Sequence, residues 1–203
     1  MTLASFSVML MVALPIVMSY PGGPPEGSCV DMFPSGHAAI AQKGAAPFLL
    51  EINEGGYYTP GKPVKVTMRN TSEIWFEGVF LQARRASPSL NQNQALGNFT
   101  VTDNELKTMR CIKRESAVTQ SNKVHKFQKQ VQWNPPEGLK DHIFFRATFV
   151  QETKIFWVDV RSIDLEYRSP QVQNKNNNNK STATMPTMQT FSTLLIMFSK
   201  LLI

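Results

Sequence analysis

Cysteine, histidine and long apolar runs are all scarce in this chain. Two cysteines, Cys29 and Cys111, and three histidines, His37, His125 and His142, are spread over 203 residues. No two histidines have the i, i+4 spacing of a helical metal site, and none adjoins a cysteine or an acidic cluster. The sequence therefore offers no metal centre. Gly-x-Ser-x-Gly is absent, and Ser35-Gly36-His37 is not a nucleophile motif. Asp141 and Asp159 have no acidic neighbour that would make a paired carboxylate. Gly22-Gly23 and Gly55-Gly56 read as turn glycines, with no helix behind them to hold phosphate. No catalytic residue and no cofactor is expected.

The apolar runs that exist lie at the two ends. Val8 to Val17 is apolar but short against the ~20 residues of a membrane span, and Pro15 interrupts it. Val17-Met18-Ser19 provides a cleavage site after Ser19, so residues 1–19 read as a secretory signal, with a membrane anchor as the alternative. The n-region departs from the usual pattern, since only the amino terminus is positive. At the far end, residues 169–190 form an Asn/Thr-rich stretch too polar to order itself. Residues 191–203 turn apolar and are interrupted by Lys200. Ser181-Thr182-Ala183, a short spacer and this tail have the outline of a GPI-attachment signal; the alternative is a secreted protein with an apolar tail. Residues 20–168 are left as the single domain. Two cysteines in a secreted chain point to one disulfide, Cys29–Cys111, against two reduced buried thiols. Three sequons fit the same compartment, at Asn70, Asn98 and Asn179; Asn98 lies where a turn enters a strand.

Acidic residues are missing from one window. Between positions 107 and 129, Lys107, Arg110, Lys113, Arg114, Lys123, Lys126 and Lys129 face only Glu115. That window sums to +6, the formal net charge of the whole chain, so the basic character belongs to a patch. Clustered charge of this kind suits sulfated glycans, acidic envelope polymers or anionic headgroups; the bland alternative is a solvated face. Nucleic acid is a poor partner for a secreted chain, and only Phe127 interleaves the lysines as a stacking aromatic. Trp75, Trp133 and Trp157 read as core.

From Pro47 onward the chain shows short strands separated by turn residues. Phe48 to Ile52 is one strand; Val64, Val66 and Met68 share a face in the next. Val79, Leu81 and Ala83 do so in the stretch from Trp75 to Arg85. Leu96 to Val101 and the stretch around Cys111 follow, with at most one helical turn between Asp103 and Arg110. Phe127, Val131 and Trp133 are expected on one face of a later strand, interrupted by Lys129 and ended by Pro135-Pro136. Ile143, Phe145, Ala147 and Phe149 are expected inward, with Arg146 and Thr148 outward. Phe156, Val158 and Val160 close the pattern, and Tyr20 to Gly27 reads as an extended leader. About seven to eight strands without a long helix make an all-β chain, an immunoglobulin/fibronectin-like antiparallel β-sandwich.

Several landmarks then go beyond pattern: Phe76-Glu77-Gly78-Val79-Phe80-Leu81-Gln82-Ala83-Arg84, Gly97-Asn98-Phe99-Thr100, Cys111, Ala117-Val118-Thr119-Gln120-Ser121-Asn122, Trp133-Asn134-Pro135-Pro136, Phe145 to Gln151 and Phe156-Trp157-Val158. With Cys29 to His37 and Tyr58 to Val64 before them, they resemble a reeler (reelin-type) domain from about Cys29 to Ser162. The resemblance implies the same sandwich, an extracellular setting and a module without catalysis of its own. It leaves three functional expectations. The first is a small secreted defence protein that binds microbial surfaces or polyanionic glycans. The second is a matrix or cell-adhesion module. The third is an accessory ectodomain related to ferric-chelate reductases, whose electron path lies in a haem-bearing membrane part. One position departs from the family pattern, which has His after Val-Thr where this chain has Gln120. Glutamine hydrogen-bonds but neither titrates near neutrality nor ligates metals well.

Overall fold

The computed structural model describes residues 23–53 and 55–170. The expected signal peptide, nearly all of the Asn/Thr-rich linker, the apolar tail and Asn179 lie outside the described residues.

Eleven strands are present among the described residues: β1 (Phe48–Ile52), β2 (Tyr57–Tyr58), β3 (Val64–Asn70), β4 (Gly78–Arg85), β5 (Asn98–Thr100), β6 (Leu106–Cys111), β7 (Lys113–Gln120), β8 (Gln128–Asn134), β9 (Ile143–Glu152), β10 (Ile155–Arg161) and β11 (Glu166–Tyr167). They build a four-stranded sheet of order β1-β3-β8-β5 and a five-stranded sheet of order β10-β9-β4-β7-β6. The register is antiparallel throughout both sheets. A short parallel pair, β2 with β11, is added at the side. The surplus over the expected count has two sources. The two-residue strands are too brief to carry a period. The stretch around Cys111 is a hairpin, β6–β7, where one helical turn at most had been expected between Asp103 and Arg110.

The core between the sheets follows from alternation at period two. Val79, Leu81 and Ala83 of β4 and Ile143, Phe145, Ala147 and Phe149 of β9 are buried there, opposite Val64, Val66 and Met68 of β3 and Val131 and Trp133 of β8. Phe145 sits edge-on to Trp133 at 5.4 Å and to Phe99 at 6.3 Å. Trp133 Nε1 donates to the Leu96 carbonyl at 2.8 Å, so the indole is buried without an orphaned donor. Gly97 makes this possible: its φ is +66°, and a Cβ there would lie 2.4 Å from Trp133 Nε1.

The outer face of the five-stranded sheet is also covered. Thr148 points away from the core as expected, yet it is only 3% exposed. Its Oγ1 donates to the Met32 carbonyl at 2.6 Å. Gln82 Nε2 donates to the Cys29 carbonyl at 3.2 Å, and Arg84 donates to the same carbonyl and to that of Gln92 at 2.7 Å. Arg146 donates to the Asp31 carbonyl at 3.1 Å and pairs with Asp159 at 2.9 Å. The cover is the N-terminal segment, a strap from Gly23 to Gln42 in place of the extended leader expected up to Gly27. It holds 3-10 turns at Glu26–Cys29 and Ser35–His37. The Cys29–Cys111 disulfide, with Cα atoms 5.5 Å apart, ties it to the end of β6. Closing a loop of 82 residues removes roughly 4–5 kcal/mol of unfolded-chain entropy in the loop-closure account.

Phe127 departs from its expected face and is 51% exposed, whereas Lys126 beside it is 1% exposed. The cause is local. Lys126 forms an isolated antiparallel bridge with Phe76 before β8 begins at Gln128, and the alternation of β8 holds only from there.

Candidate functional site

The seven cations of the basic window do not form one patch. Lys113 and Arg114 open β7, and Lys123 and Lys126 lie just beyond its other end. The strand between, from Lys113 to Gln120, spans about 23 Å at ~3.3 Å per residue. Strand pairing therefore cannot gather Lys113, Arg114, Lys123 and Lys126.

Two of the seven are engaged elsewhere. The Lys126 ammonium is buried and donates to the carbonyls of Glu77 (3.0 Å), Asn122 (3.0 Å) and Val124 (2.7 Å). Burial holds its pKa below the ordinary lysine value. It is a structural brace for the β7–β8 connection and leaves the list of surface cations. Lys129 is paired with Asp103 at 2.6 Å and Glu105 at 2.7 Å. Burial opposes its charged form, but the bonds to Asp103 and Glu105 outweigh that and raise its pKa. In return the Lys129 bond holds the Asp103 carboxyl below the usual carboxylate range.

Lys107, Arg110, Lys113, Arg114 and Lys123 remain exposed, and none forms an ion pair among the described residues. Four of them belong to the β6–β7 hairpin. Cys111 pairs directly with Lys113, leaving Ile112 alone at the apex, and a bulge sets Arg114, Glu115 and Ser116 opposite Arg110. Ile112 has φ +77° and Glu115 φ +57°. Buried Ser116 fixes this geometry: its Oγ lies 2.7 Å from the carbonyls of Cys111 and Lys113 and accepts the Cys111 N–H at 3.0 Å. Arg110, Lys113 and Arg114 thus surround the apex, diluted only by the exposed Glu115. Sequence reasoning found the cations here but missed Ile112 and Ser116. The run Arg110-Cys111-Ile112-Lys113-Arg114, an aliphatic residue between cations next to a cysteine, was the available signal.

At the other end of the sandwich, the strap and the sheet enclose a cavity of about 50 Å³, lined among others by Met32, Phe33, His37, Phe80, Gln120 and Val150. It is largely apolar and has room for a water or two. His37 rests edge-on against Phe156 at 5.8 Å. Burial lowers its pKa; a bond with the Thr153 backbone opposes the shift, and nearby Lys123 adds to it. Gln120, the departure from the family pattern, lines the same cavity. Its Oε1 accepts from the Val79 N–H at 3.0 Å and from Thr119 Oγ1 at 2.9 Å. Here it braces the β4–β7 junction. Among the described residues no group of three or more His, Cys, Asp or Glu side chains is gathered to hold a metal.

The tryptophans divide. Trp133 is core, Trp157 packs against it, and Trp75 stacks on His125 with ring centroids 4.3 Å apart. The sequons divide too. Asn98 is exposed at the start of β5, its Oδ1 accepting from Asn134 Nδ2 at 2.9 Å. Asn70 is half-buried and its amide donates to the Ile74 carbonyl at 2.7 Å.

A two-sheet sandwich with one outer face closed by a disulfide-anchored strap defines the class of this module. Residues 27–173 match the Reeler domain family model, and the chain belongs to that family. Among solved structures, the human F-spondin reeler domain matches with a TM-score of 0.52 at 22% identity, over 64% of this chain and 95% of that one. Among curated proteins, a Bombyx mori protein named "Putative defense protein" is 33% identical over 165 residues, 78% of this chain and 92% of the relative. Bos taurus "Ferric-chelate reductase 1" is 30% identical over 161 residues, but those cover 26% of its length. No helix among the described residues is long and apolar enough to cross a membrane.

Proposed function

We propose that this chain is an extracellular, non-catalytic binding protein of innate defence that attaches to anionic microbial surfaces. The observation that carries this reading is the extent of similarity. The match runs at 33% identity over 92% of the Bombyx mori protein, whereas the match to the ferric-chelate reductase covers about a quarter of that protein. The unpaired cations around the β6–β7 apex supply a physical means of attachment: a bulged, Ser116-pinned turn presents them on a backbone already ordered before contact.

The test is pull-down of the secreted protein on intact bacteria and on immobilised heparin over a salt series. Binding to bacteria that weakens steeply with salt is expected, because exposed charges are screened beyond about 8 Å at physiological ionic strength. Arg110→Gln/Lys113→Gln/Arg114→Gln should lose retention on both, while Lys123→Gln alone should shift elution little. Retention on heparin with no capture by bacteria would favour the matrix or adhesion role. Unchanged elution of the triple variant would make the hairpin merely a solvated face.

A further inference from the structure

We propose that the β6–β7 apex is a membrane-contact element: it seats Ile112 in the headgroup layer of an anionic lipid bilayer, with Arg110, Lys113 and Arg114 on the surrounding phosphates. This rests on the anionic-surface reading above and narrows its partner to a lipid surface.

Three features of the apex point there. The first is exposure. Ile112 is 60% exposed at the tip of a hairpin, where most of its aliphatic side chain is left in water. The second is conformation. Ile112 holds φ +77°, a region that β-branched residues avoid. Asparagine or glycine would suit both the backbone and the solvent better, so isoleucine here opposes both local preferences. The third is company. Val30 is 54% exposed and directly follows Cys29, as Ile112 follows Cys111. The disulfide, with Cα atoms 5.5 Å apart, therefore keeps the Cα atoms of the two aliphatic residues within about 13 Å of each other.

An apolar point ringed by cations separates two anionic partners. A sulfated glycan is charged and hydroxylated along its length and gives an isoleucine side chain nothing to enter. A bilayer offers phosphates at its surface and hydrocarbon just beneath. Cations near an anionic membrane and a buried aliphatic group then add to one another. The rigid tether also helps, since the disulfide and Ser116 hold the apex in place before contact.

The test is cosedimentation of the full secreted protein with phosphatidylcholine vesicles, with and without phosphatidylglycerol, run beside heparin chromatography. The parent should bind only the anionic vesicles. Ile112→Asn, which suits the left-handed backbone and leaves the cations in place, should weaken vesicle binding roughly tenfold and leave heparin elution unchanged. Ile112→Leu should bind vesicles like the parent. Ile112→Asn binding anionic vesicles as tightly as the parent would overturn the membrane contact but leave the polyanion reading standing. So would a parent retained on heparin that ignores vesicles. A parent that binds neither, or a triple Gln variant at Arg110, Lys113 and Arg114 that binds both as the parent does, would overturn the two together. A melting curve for Ile112→Asn no lower than the parent's confirms that the fold is intact.

Discussion

The two faces of the five-stranded sheet are both buried, but by different means. The inner face is closed by side chains against side chains: Val79, Leu81, Ala83, Phe145, Ala147 and Phe149 meet the opposite sheet. The outer face carries polar and charged residues, Gln82, Arg84, Thr119 and Thr148, which are nonetheless buried. Thr119 donates to Gln120, and Gln82, Arg84 and Thr148 donate to the carbonyls of Cys29, Val30 and Met32 in the irregular strap. A strap without ladder partners leaves its backbone groups to be satisfied by side chains, and these residues satisfy them. Arg84 shows the cost. With only carbonyls and Gln82 as partners and no carboxylate, burial draws its pKa down to about 10, with Arg146 nearby adding to the shift.

The contrast can be broken from either side. The largest effect is expected on the inner face, where Phe145→Ala should destabilise by about 3–5 kcal/mol. Chemical denaturation of parent and variant measures it; a loss below ~1 kcal/mol would put Phe145 outside the packed core. On the outer face, Thr148→Val keeps the shape but leaves the Met32 carbonyl without its donor. About 1–2 kcal/mol should be lost, and the strap should become more open to proteolysis near Met32 while the sandwich stays folded. Equal protease sensitivity in the two proteins would mean that this bond does not hold the strap.

The smallest effect is a pH dependence under the strap. Burial first of all lowers the pKa of His37 below its ordinary value of 6.5, so between those two values the unfolded chain binds more protons than the folded one. The His37 contribution is therefore full above the ordinary imidazole range and declines as pH falls through 6.5 toward the folded value. His37→Asn should flatten part of the fall in melting temperature between neutral and mildly acidic pH. An identical fall in both proteins would remove His37 as a source.

The inner face was legible because alternation is a local property. Val64-Val66-Met68 and Ile143-Phe145-Ala147-Phe149 repeat at period two whatever lies elsewhere in the chain. The outer face was not. Thr148 reads as solvent-facing because nothing within its own strand announces a strap more than a hundred residues earlier. Phe127 was misplaced for a related reason: its alternation with Val131 is genuine in the sequence, but the Phe76–Lys126 bridge shifts the start of β8. The basic site shows the same split. Its charges were countable from composition, whereas the burial of Lys126, the pairing of Lys129 and the 23 Å or so between the two ends of β7 depend on where the strands lie.

The sequence by itself determined the all-β sandwich, the inward residues of β3, β4 and β9, and the family. These follow from side-chain periodicity and from short motifs, which need no knowledge of distant contacts. Only the tertiary structure decided which polar residues are buried, which lysines stay free, and that Ile112 stands exposed at a pinned apex among cations. Burial and charge pairing are set by neighbours far apart in the chain, and their positions are fixed only when the sheets and the strap close on one another.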